Sequence, residues 1–247
     1  MWHYDCPEKD KAFEDYFGVT MAQFEKGWNI AWPQIEVGSI TEDEFWNIML
    51  TESCAKNIDI EHAKILWEKY QNIIPDTLNL IIRLRNRYTI VACTNNGTEW
   101  VDYYKKNHHF DSYFDAIVSS SYVHAGKPNP KIYTEAIQKT GVKPDEIVFI
   151  DDSIKCVQGA QDAGMKAILY TDFKHLIDNL HTFKVDTDPL DLSSRQHSFY
   201  WQTDRKITET QIKRIFQDRH TFFDVENAKK ALNTACATQE KQKLNLK

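Results

Sequence analysis

The sequence predicts an α/β protein built on a doubly wound parallel sheet, and three observations carry that prediction. Apolar residues recur at helical spacing before residue 87, whereas short continuous apolar runs follow it. These runs alternate with amphipathic segments, which is the order of strands joined by crossover helices. Two of the runs end in polar residues, and ligands of such sheets bind beyond the carboxyl ends of the strands.

Residues 8–86 are predicted to form a helical domain, and capping signals mark the start of two of its helices. Thr20 with Gln23, and Thr41 with Glu44, have the spacing of capping boxes. We therefore expect helices to begin directly after Thr20 and directly after Thr41.

Tryptophan is concentrated on two helical faces of this domain. The first face carries Phe24, Trp28 and Trp32, and Pro33 is expected to end that helix soon afterwards. The second face consists of Ala63, Leu66, Trp67 and Tyr70. Both stripes are interpreted as helix-packing core in preference to a ligand cage.

The sheet domain is predicted at residues 87–182, with four strands that share an unbroken apolar character. They are expected at 88–94, 115–120, 146–151 and 166–171. A helix is expected between the first two strands, at 99–107. Another is expected after Asn129, because a proline follows in the first helical position. An amphipathic stretch at 173–180 completes the helical layers.

The chain beyond the sheet domain is predicted as a linker at 186–194 and a small helical appendage at 195–238. From residue 191 onward it has 11 Lys and Arg against 7 Asp and Glu, although the whole chain carries a formal charge of −6. The overall acidity argues against a dedicated nucleic-acid binder. A solvated helical face is preferred to a helix-turn-helix for the basic positions Lys213, Arg214, Arg219, Lys229 and Lys230.

The cysteines and the hydropathy of the chain indicate the compartment in which it is expected to fold. The five cysteines are scattered and include no Cys-x-x-Cys pair, which argues against a disulfide scaffold and against a zinc site. A reducing, cytoplasmic compartment fits this pattern. No apolar stretch reaches the length that a bilayer span requires, so no membrane partner is expected.

Hydrogen-bond donors follow two of the predicted elements. The stretch CTNNG offers the Thr94 hydroxyl and the backbone amides of Asn95 and Asn96, and GKPNP offers Lys127. Hydroxyl, amide and ammonium donors together suit an oxyanion such as phosphate. The sequence therefore predicts a phosphate site at this edge of the sheet.

Two adjacent carboxylates, Asp151 and Asp152, end the third predicted strand. Like charges side by side repel, so they need a cation or hydrogen-bond donors nearby. Mg²⁺ typically takes one or two carboxylates together with phosphate oxygens. The two groups of residues thus predict a Mg²⁺ site that faces a phosphate site, with a small phosphorylated molecule as the ligand.

On these residues the stretch 88–170 resembles the haloacid dehalogenase (HAD) superfamily. Members of that superfamily hydrolyse phosphate esters, or in one branch carbon–halogen bonds, through an aspartyl-enzyme intermediate. The resemblance implies that Thr94 binds the phosphoryl group, that Lys127 neutralises charge as a catalytic residue, and that Asp151 and Asp152 hold Mg²⁺. It also implies that the helical domain is the cap that relatives insert after their first motif. The full acidic pair resembles the Mg²⁺-dependent phosphatases more than the metal-free dehalogenases.

One feature of the superfamily is missing: the first motif, a strand followed by Asp-x-Asp that supplies the nucleophile. Asp5 has Pro7 in place of the second aspartate. Asp186 and Asp188 have the required spacing and would follow from a circular permutation, but Asp-Pro turns are common in linkers. Neither is adopted as the nucleophile. Three explanations stay open: permutation, loss of the motif in a pseudoenzyme, and a truncated chain whose motif is encoded upstream.

The resemblance implies a Mg²⁺-dependent phosphatase of a small phosphate ester by ancestry, inactive as this chain because the nucleophile is absent. The alternative is a HAD-derived binding or scaffold protein. Without the first strand, the strands that end at Thr94 and Asp151 are expected to face a gap with unpaired backbone groups. Candidate occupants are residues 2–5, 181–185 and 198–203, or a partner chain.

Overall fold

The computed structural model describes residues 2–3 and 6–187, which lie within one compact unit of residues 1–190. The predictions that concern Asp5, Asp188 and the carboxyl-terminal appendage lie outside the described residues. No helix within the described ranges is long and apolar enough to cross a membrane.

The amino-terminal half of the described chain is helical apart from one short strand pair. Its helices are α1 (Pro7–Phe17), α2 (Met21–Ile35), α3 (Glu42–Glu52), α4 (Ile60–Lys69) and α5 (Pro75–Leu84). Strand β1 (Trp2–His3) pairs antiparallel with β2 (Asn72–Ile73).

Both predicted capping boxes are confirmed. The Thr20 hydroxyl accepts a hydrogen bond from the Gln23 N–H at 3.3 Å, and the Gln23 side chain accepts one from the Thr20 N–H at 2.9 Å. Thr41 and Glu44 repeat this pair of bonds at 3.3 and 2.8 Å. These bonds satisfy N–H groups that the first turn of a helix leaves without intrahelical partners.

The expectation that the helix ends soon after Pro33 is confirmed, since α2 ends at Ile35. Proline inside a helix removes one N–H donor and crowds the carbonyl four residues earlier. Tertiary packing outweighs that cost here, because Ile35 is only 1% exposed and its side chain lies against Gly97. A Cβ atom at Gly97 would approach Ile35 Cγ1 to 2.8 Å, so this close contact requires glycine.

The carboxyl-terminal half alternates strands and helices. Its strands are β3 (Val91–Thr94), β4 (Ala116–Ser119), β5 (Val148–Asp151) and β6 (Lys166–Leu169). Its helices are α6 (Thr98–His108), α7 (Ser120–Val123), α8 (Pro130–Thr140), α9 (Ile154–Asp162) and α10 (Phe173–Thr182). Two 3₁₀ turns span Phe110–Tyr113 and Pro144–Glu146.

All four predicted strands are confirmed, each with shorter bounds than expected. The predicted helix start at Asn129 is also confirmed, since its side-chain oxygen accepts a hydrogen bond from the Lys131 N–H at 3.0 Å. Pro130 occupies the first helical position, where its missing N–H costs no hydrogen bond.

The strands form two parallel pairs rather than one continuous ladder. β3 pairs with β4 in the register Thr94 to Ser119, and β5 pairs with β6 in the register Asp151 to Leu169. Within the described chain, β3 and β5 do not hydrogen-bond to each other. The predicted gap in the sheet is therefore confirmed. Its strands are less buried than central strands of a complete sheet, and Ile150 of β5 is 38% exposed.

None of the described segments proposed as occupants lies in this gap. Residues 2–3 pair with β2 instead. Residues 181–185 complete α10 and then turn, and Val185 packs with the cluster that contains Leu80 and Leu84. The remaining segment of this chain, 198–203, lies outside the described residues.

Helices cover both faces of the strand pairs, as a doubly wound sheet requires. Successive residues of β5 belong to different hydrophobic clusters, because side chains alternate between the two faces of a strand. Phe149 packs with Ile132 of α8, whereas Val148 packs with a cluster that joins Leu80 of α5 to Leu176 of α10. The predicted α/β fold class is confirmed.

The helical half has an aromatic core of its own, to which α6 contributes. Phe13, Phe45 and Trp46 are 0% exposed. Trp100 of α6 packs edge-on against Phe45, with ring centroids 5.2 Å apart. This contact fixes α6, and with it the loop after β3, against the helices of the amino-terminal half.

Candidate active site

The carboxyl ends of β3 and β5 meet at one side chain. The Lys127 ammonium donates to the Cys93 carbonyl at 3.0 Å, one residue before the end of β3, and to Asp151 Oδ2 at 2.6 Å, at the end of β5. The structure therefore brings together the three elements that the sequence singled out. It also places the ammonium across the mouth of the gap.

Lys127 and Asp151 form a buried ion pair. Their side chains are 11% and 7% exposed. Burial opposes the charge of Lys127, but the attraction of Asp151 outweighs it and raises the pKa of the ammonium. The lysine is therefore a permanent cation at neutral pH, able to neutralise a bound anion. Removing one member of such a pair leaves an uncompensated buried charge.

Asn95 ties the Lys127 loop to the end of β3. Its Oδ1 accepts from the Lys127 N–H at 2.7 Å, and its Nδ2 donates to the Lys127 carbonyl at 3.1 Å. The same Nδ2 lies 3.2 Å from Glu36 Oε2. The side chain of Asn95 thus positions the lysine, which leaves its backbone N–H as the group that faces a ligand.

Glu36 is a site residue that the sequence did not reveal. It follows α2 directly and reaches the loop after β3 from the helical half. Burial raises its pKa, although hydrogen bonds from Trp32 and Asn95 act in the opposite direction. A single glutamate at the end of a helix has no sequence signal of its own, so only the packing of α2 on the loop identifies it.

The expectation that the Asn96 amide binds phosphate is corrected by the structure. Its N–H donates to Ser120 Oγ at 2.9 Å, and its side-chain oxygen accepts from the Gly97 N–H at 3.1 Å. Asn96 is 4% exposed. By contrast, neither the Thr94 hydroxyl nor the Asn95 N–H has a hydrogen-bond partner in the part of the chain that the structure describes. These two donors and Lys127 remain the candidate phosphate cradle.

Asp151 and Asp152 could supply the protein ligands of a Mg²⁺ ion, but they do not form a complete coordination shell by themselves. Asp151 Oδ1 accepts from the Ser153 N–H at 2.9 Å, and Asp152 beside it is exposed. The described residues contain no group of three or more acidic, cysteine or histidine side chains placed to hold a metal. Mg²⁺ commonly binds one or two carboxylates and completes its shell with water and phosphate oxygens. The pair is suited to that kind of coordination.

The described residues offer no nucleophile at this point. Cys93 lies closest in sequence, but burial raises the pKa of its thiol to about 11, so it stays protonated and unreactive at neutral pH. Asp151 is already bonded to Lys127. Asp5, which was not adopted as the nucleophile, lies outside the described residues.

The permuted nucleophile at Asp186 is excluded by its position. Asp186 forms an ion pair with Arg87 at 3.0 Å, and its N–H donates to the Tyr88 hydroxyl at 2.8 Å. Both partners precede β3, so Asp186 lies at the amino end of that strand. Thr94 and the Lys127 ammonium lie at the opposite end, one strand length away.

Comparison with known proteins gives a family match over most of the described chain. Residues 9–170 match the model of a family described as haloacid dehalogenase-like hydrolase. The match includes the aromatic helical half and every residue of the cradle. It stops before α10.

Curated relatives with partial matches include phosphatases. The chain is 33% identical over 104 residues to a glyceraldehyde 3-phosphate phosphatase of Methanopyrus kandleri, covering 40% of this chain and 43% of that protein. It is 26% identical over 116 residues to the pyrophosphatase PpaX of Bacillus mycoides, covering 47% and 53%. The chain thus spans about half the length of these relatives.

Solved structures share the fold more completely. A HAD family enzyme of Bacteroides thetaiotaomicron, in complex with magnesium and inorganic phosphate, has a TM-score of 0.60 at 24% identity and covers 71% of this chain and 93% of its own. A HAD-like hydrolase of Porphyromonas gingivalis has a TM-score of 0.61 at 21% identity, with 72% and 90% covered. At these identities the likeness shows the fold alone.

Proposed function

Because this chain belongs to the haloacid dehalogenase-like hydrolase family, we propose that its site binds the phosphoryl group of a small phosphate ester with Mg²⁺, and that the chain does not hydrolyse that ester by itself. The observation that carries the proposal is the contact of Lys127 with the ends of both β3 and β5. It places a buried cation where donors and carboxylates converge, beside a gap that holds no nucleophile in the described residues.

The donors divide the work of binding. The Thr94 hydroxyl and the Asn95 N–H supply directional hydrogen bonds to phosphoryl oxygens, and Lys127 supplies charge. Asp151 keeps Lys127 in place and, with Asp152, faces the cation. Bound Mg²⁺ would neutralise phosphoryl oxygens and so favour attack at phosphorus. The phosphatase relatives and the magnesium and phosphate complex of the Bacteroides enzyme support this choice of ligands.

Binding alone does not break the ester. Covalent hydrolysis through an aspartyl enzyme divides the reaction into two easier steps and requires a carboxylate in line with phosphorus. The backbone edges of β3 and β5 that face the gap are the positions from which a strand could present such a carboxylate. We propose that turnover depends on a strand supplied there, by residues outside the described ranges or by a partner chain.

A non-catalytic binding or scaffold protein is the second candidate. It is favoured by one specific observation: both oxygens of Asp151 are already engaged, by the Lys127 ammonium and by the Ser153 N–H. This arrangement is stable without substrate. Under this alternative, supplying a strand with a nucleophile would leave hydrolysis unchanged.

The experiment measures binding and turnover on the same purified 247-residue chain. Calorimetry with inorganic phosphate and Mg²⁺ is expected to detect weak binding that Thr94→Val reduces and that Thr98→Val, at the start of α6, leaves unchanged. Phosphate release from an aryl phosphate is expected to equal that of buffer with Mg²⁺. Absence of phosphate binding would refute the binding part of the proposal. Release above buffer that Asp151→Ala abolishes would refute the claim that the chain lacks turnover.

A further inference from the structure

Four tryptophans form a closed ring between the helical half and α6. Ring centroids of neighbours lie 5.2 Å apart for Trp28 and Trp32, 6.1 Å for Trp32 and Trp100, 5.9 Å for Trp100 and Trp67, and 4.9 Å for Trp67 and Trp28. The first two pairs are stacked within 17° of parallel. The ring draws on α2, α4 and α6.

The ring does not pack solid. A cavity of about 190 Å³ is lined by all four of these tryptophans together with Asn95, Asn96 and Tyr104. Trp28 and Trp32 are only partly buried, whereas Trp67 and Trp100 are 4% and 3% exposed. The sequence-based interpretation as packing core therefore holds for Trp67 and is incomplete for Trp28 and Trp32, which also line the cavity.

The aromatic walls are electron-rich by position. Trp100 and Trp46 donate their indole N–H groups to one carboxylate, Glu42 Oε1, at 2.5 and 3.1 Å. A second carboxylate, Glu36, lies beside the cavity lining, since its Oε2 accepts from Asn95 Nδ2 at 3.2 Å. A hydrogen bond from an indole N–H to a carboxylate moves electron density into the ring, and the face of an indole attracts cations in any case.

The negative charges of these carboxylates are only partly balanced by positive side chains nearby. Glu36 forms no ion pair with a lysine, arginine or histidine of the described chain. Burial raises the pKa of both Glu36 and Glu42, although the charge of Lys64 acts in the opposite direction on Glu42. One indole already attracts a cation of the chain, since the Lys9 ammonium lies 5.0 Å from the centroid of Trp67.

We propose that the tryptophan-lined cavity binds a small alkylated ammonium group, and that the ligand of this protein is a phosphate monoester whose alcohol carries such a group. Indole faces prefer an organic cation because it combines apolar methyl groups with positive charge. The volume agrees with one compact group, since a cavity of about 150 Å³ accommodates benzene in another protein. Asn95 lines the cavity and also holds Lys127, so the two ends of the ligand would meet at one residue.

The cation site and the phosphate end stand on different observations. Binding of a cation in the tryptophan cavity does not depend on the proposed function. The assignment of a phosphate ester as the substrate class does depend on it. A neutral ring or an apolar alkyl group is the competing occupant of the cavity. It would gain from burial of apolar area but not from the carboxylates, so a matched pair of ligands that differ only in charge separates the two.

The first test compares choline with 3,3-dimethylbutan-1-ol, which has the same shape and no charge. Calorimetry and tryptophan fluorescence on the full chain are expected to give choline an affinity at least about tenfold higher, a difference of about 1.4 kcal/mol, because only choline gains the attraction of the indole faces for a cation. Equal affinities for the two ligands would overturn the proposal in favour of an apolar pocket. No binding of choline would overturn it outright.

Variants locate the site within the ring. Trp32→Phe is expected to weaken choline binding several-fold and Trp32→Leu to abolish it, because Phe keeps an aromatic face and Leu does not. Trp46→Phe is the matched control, since Trp46 donates to the same Glu42 but does not line the cavity. Glu42→Gln, which can still accept from an indole N–H, should weaken binding of choline but not of the neutral alcohol. Equal losses in Trp46→Phe and Trp32→Phe would contradict the assignment.

A last comparison separates this inference from the proposed function. With Mg²⁺ present, the phosphate ester of choline is expected to bind more tightly than choline or inorganic phosphate, because one molecule then engages both sites. Choline binding without phosphate binding would refute the proposed function and keep the cation site. Binding of both, with no gain for the ester, would refute the substrate class. Phosphate binding without choline binding would refute the inference alone.

Discussion

The aromatic core of the helical half is fully buried at its centre, whereas β3 and β5 have no strand between them in the described residues. In the helical half Phe13, Phe45 and Trp46 have no exposed area. In the sheet, the facing edges of β3 and β5 have no strand partner among the residues that the structure describes, and Ile150 remains 38% exposed. Helices complete their backbone hydrogen bonds internally, but a strand depends on the chain that lies beside it. The described residues can therefore complete the helical half and still lack a strand between β3 and β5.

The largest expected effect comes from closing the sheet. A strand of about six apolar residues ending in Asp-x-Asp, joined by a flexible linker, should pair in the gap and supply the nucleophile. Phosphate release should rise at least about 100-fold above buffer, well within the range of enzymatic rate enhancements. It should collapse again on Asp151→Ala.

The matching control carries a proline in the middle of the added strand, which cannot donate to a sheet ladder. Turnover that persists with this control would show that the strand acts without entering the gap. Release that never exceeds buffer, with the strand paired as judged by hydrogen exchange, would favour the binding protein over the incomplete enzyme.

The next prediction compares the loss of a side chain in the aromatic core with the loss of a side chain on β5, beside the gap. Trp46→Ala removes a fully buried side chain from the aromatic core and is expected to cost about 3–5 kcal/mol. Ile150→Ala at the open edge is expected to cost below about 1.5 kcal/mol, because much of the side chain is already solvated. Urea unfolding of both variants measures the difference. Comparable costs would mean that the gap is covered in solution.

The buried ion pair offers a third contrast, within the open half itself. Lys127→Met leaves Asp151 charged and without its partner, for an expected loss of about 3–5 kcal/mol. Adding Asp151→Asn should recover part of that loss, since no buried charge then remains. Chemical denaturation of the two single variants and the double variant yields the coupling energy. Additive losses would show that the 2.6 Å contact contributes nothing to stability.

The smallest effect concerns pH and the carboxylate beneath the tryptophan ring. Burial raises the pKa of Glu42 above its ordinary value of 4.5, against the hydrogen bonds from Trp100 and Trp46. The folded state then binds more protons than the unfolded state between those two values. Stability from this group is present at and below pH 4.5 and declines as pH rises through the raised pKa.

Glu42→Gln removes this titration, so the difference in unfolding free energy between the variant and the native chain should change with pH only in that window. We expect the change to stay within about 1 kcal/mol. The comparison cancels contributions from Glu36, Glu68 and the exposed carboxylates, which titrate in both proteins. A difference that is constant from pH 4 to pH 8 would contradict the raised pKa.

Local signals of the sequence were reliable where the deciding interactions are local. The capping boxes at Thr20 and Thr41 and the helix start at Asn129 depend on bonds within three residues, and each appears as expected. The strand that ends at Asp151 was found because an unbroken apolar run needs two covered faces. The end of α2 soon after Pro33 was expected for a local reason too, since proline crowds the helical turn before it.

The sequence by itself determined the order of strands and helices and the residues at the strand ends. Only the tertiary structure decided what those residues do. It directed the Asn96 amide to Ser120, brought Glu36 to the loop after β3, and joined tryptophans from three helices around one cavity. The physical reason is the separation along the chain of the residues that interact. Periodicity and helix caps depend on residues a few positions apart, whereas these hydrogen-bond partners and cavity walls come from elements that are distant in sequence.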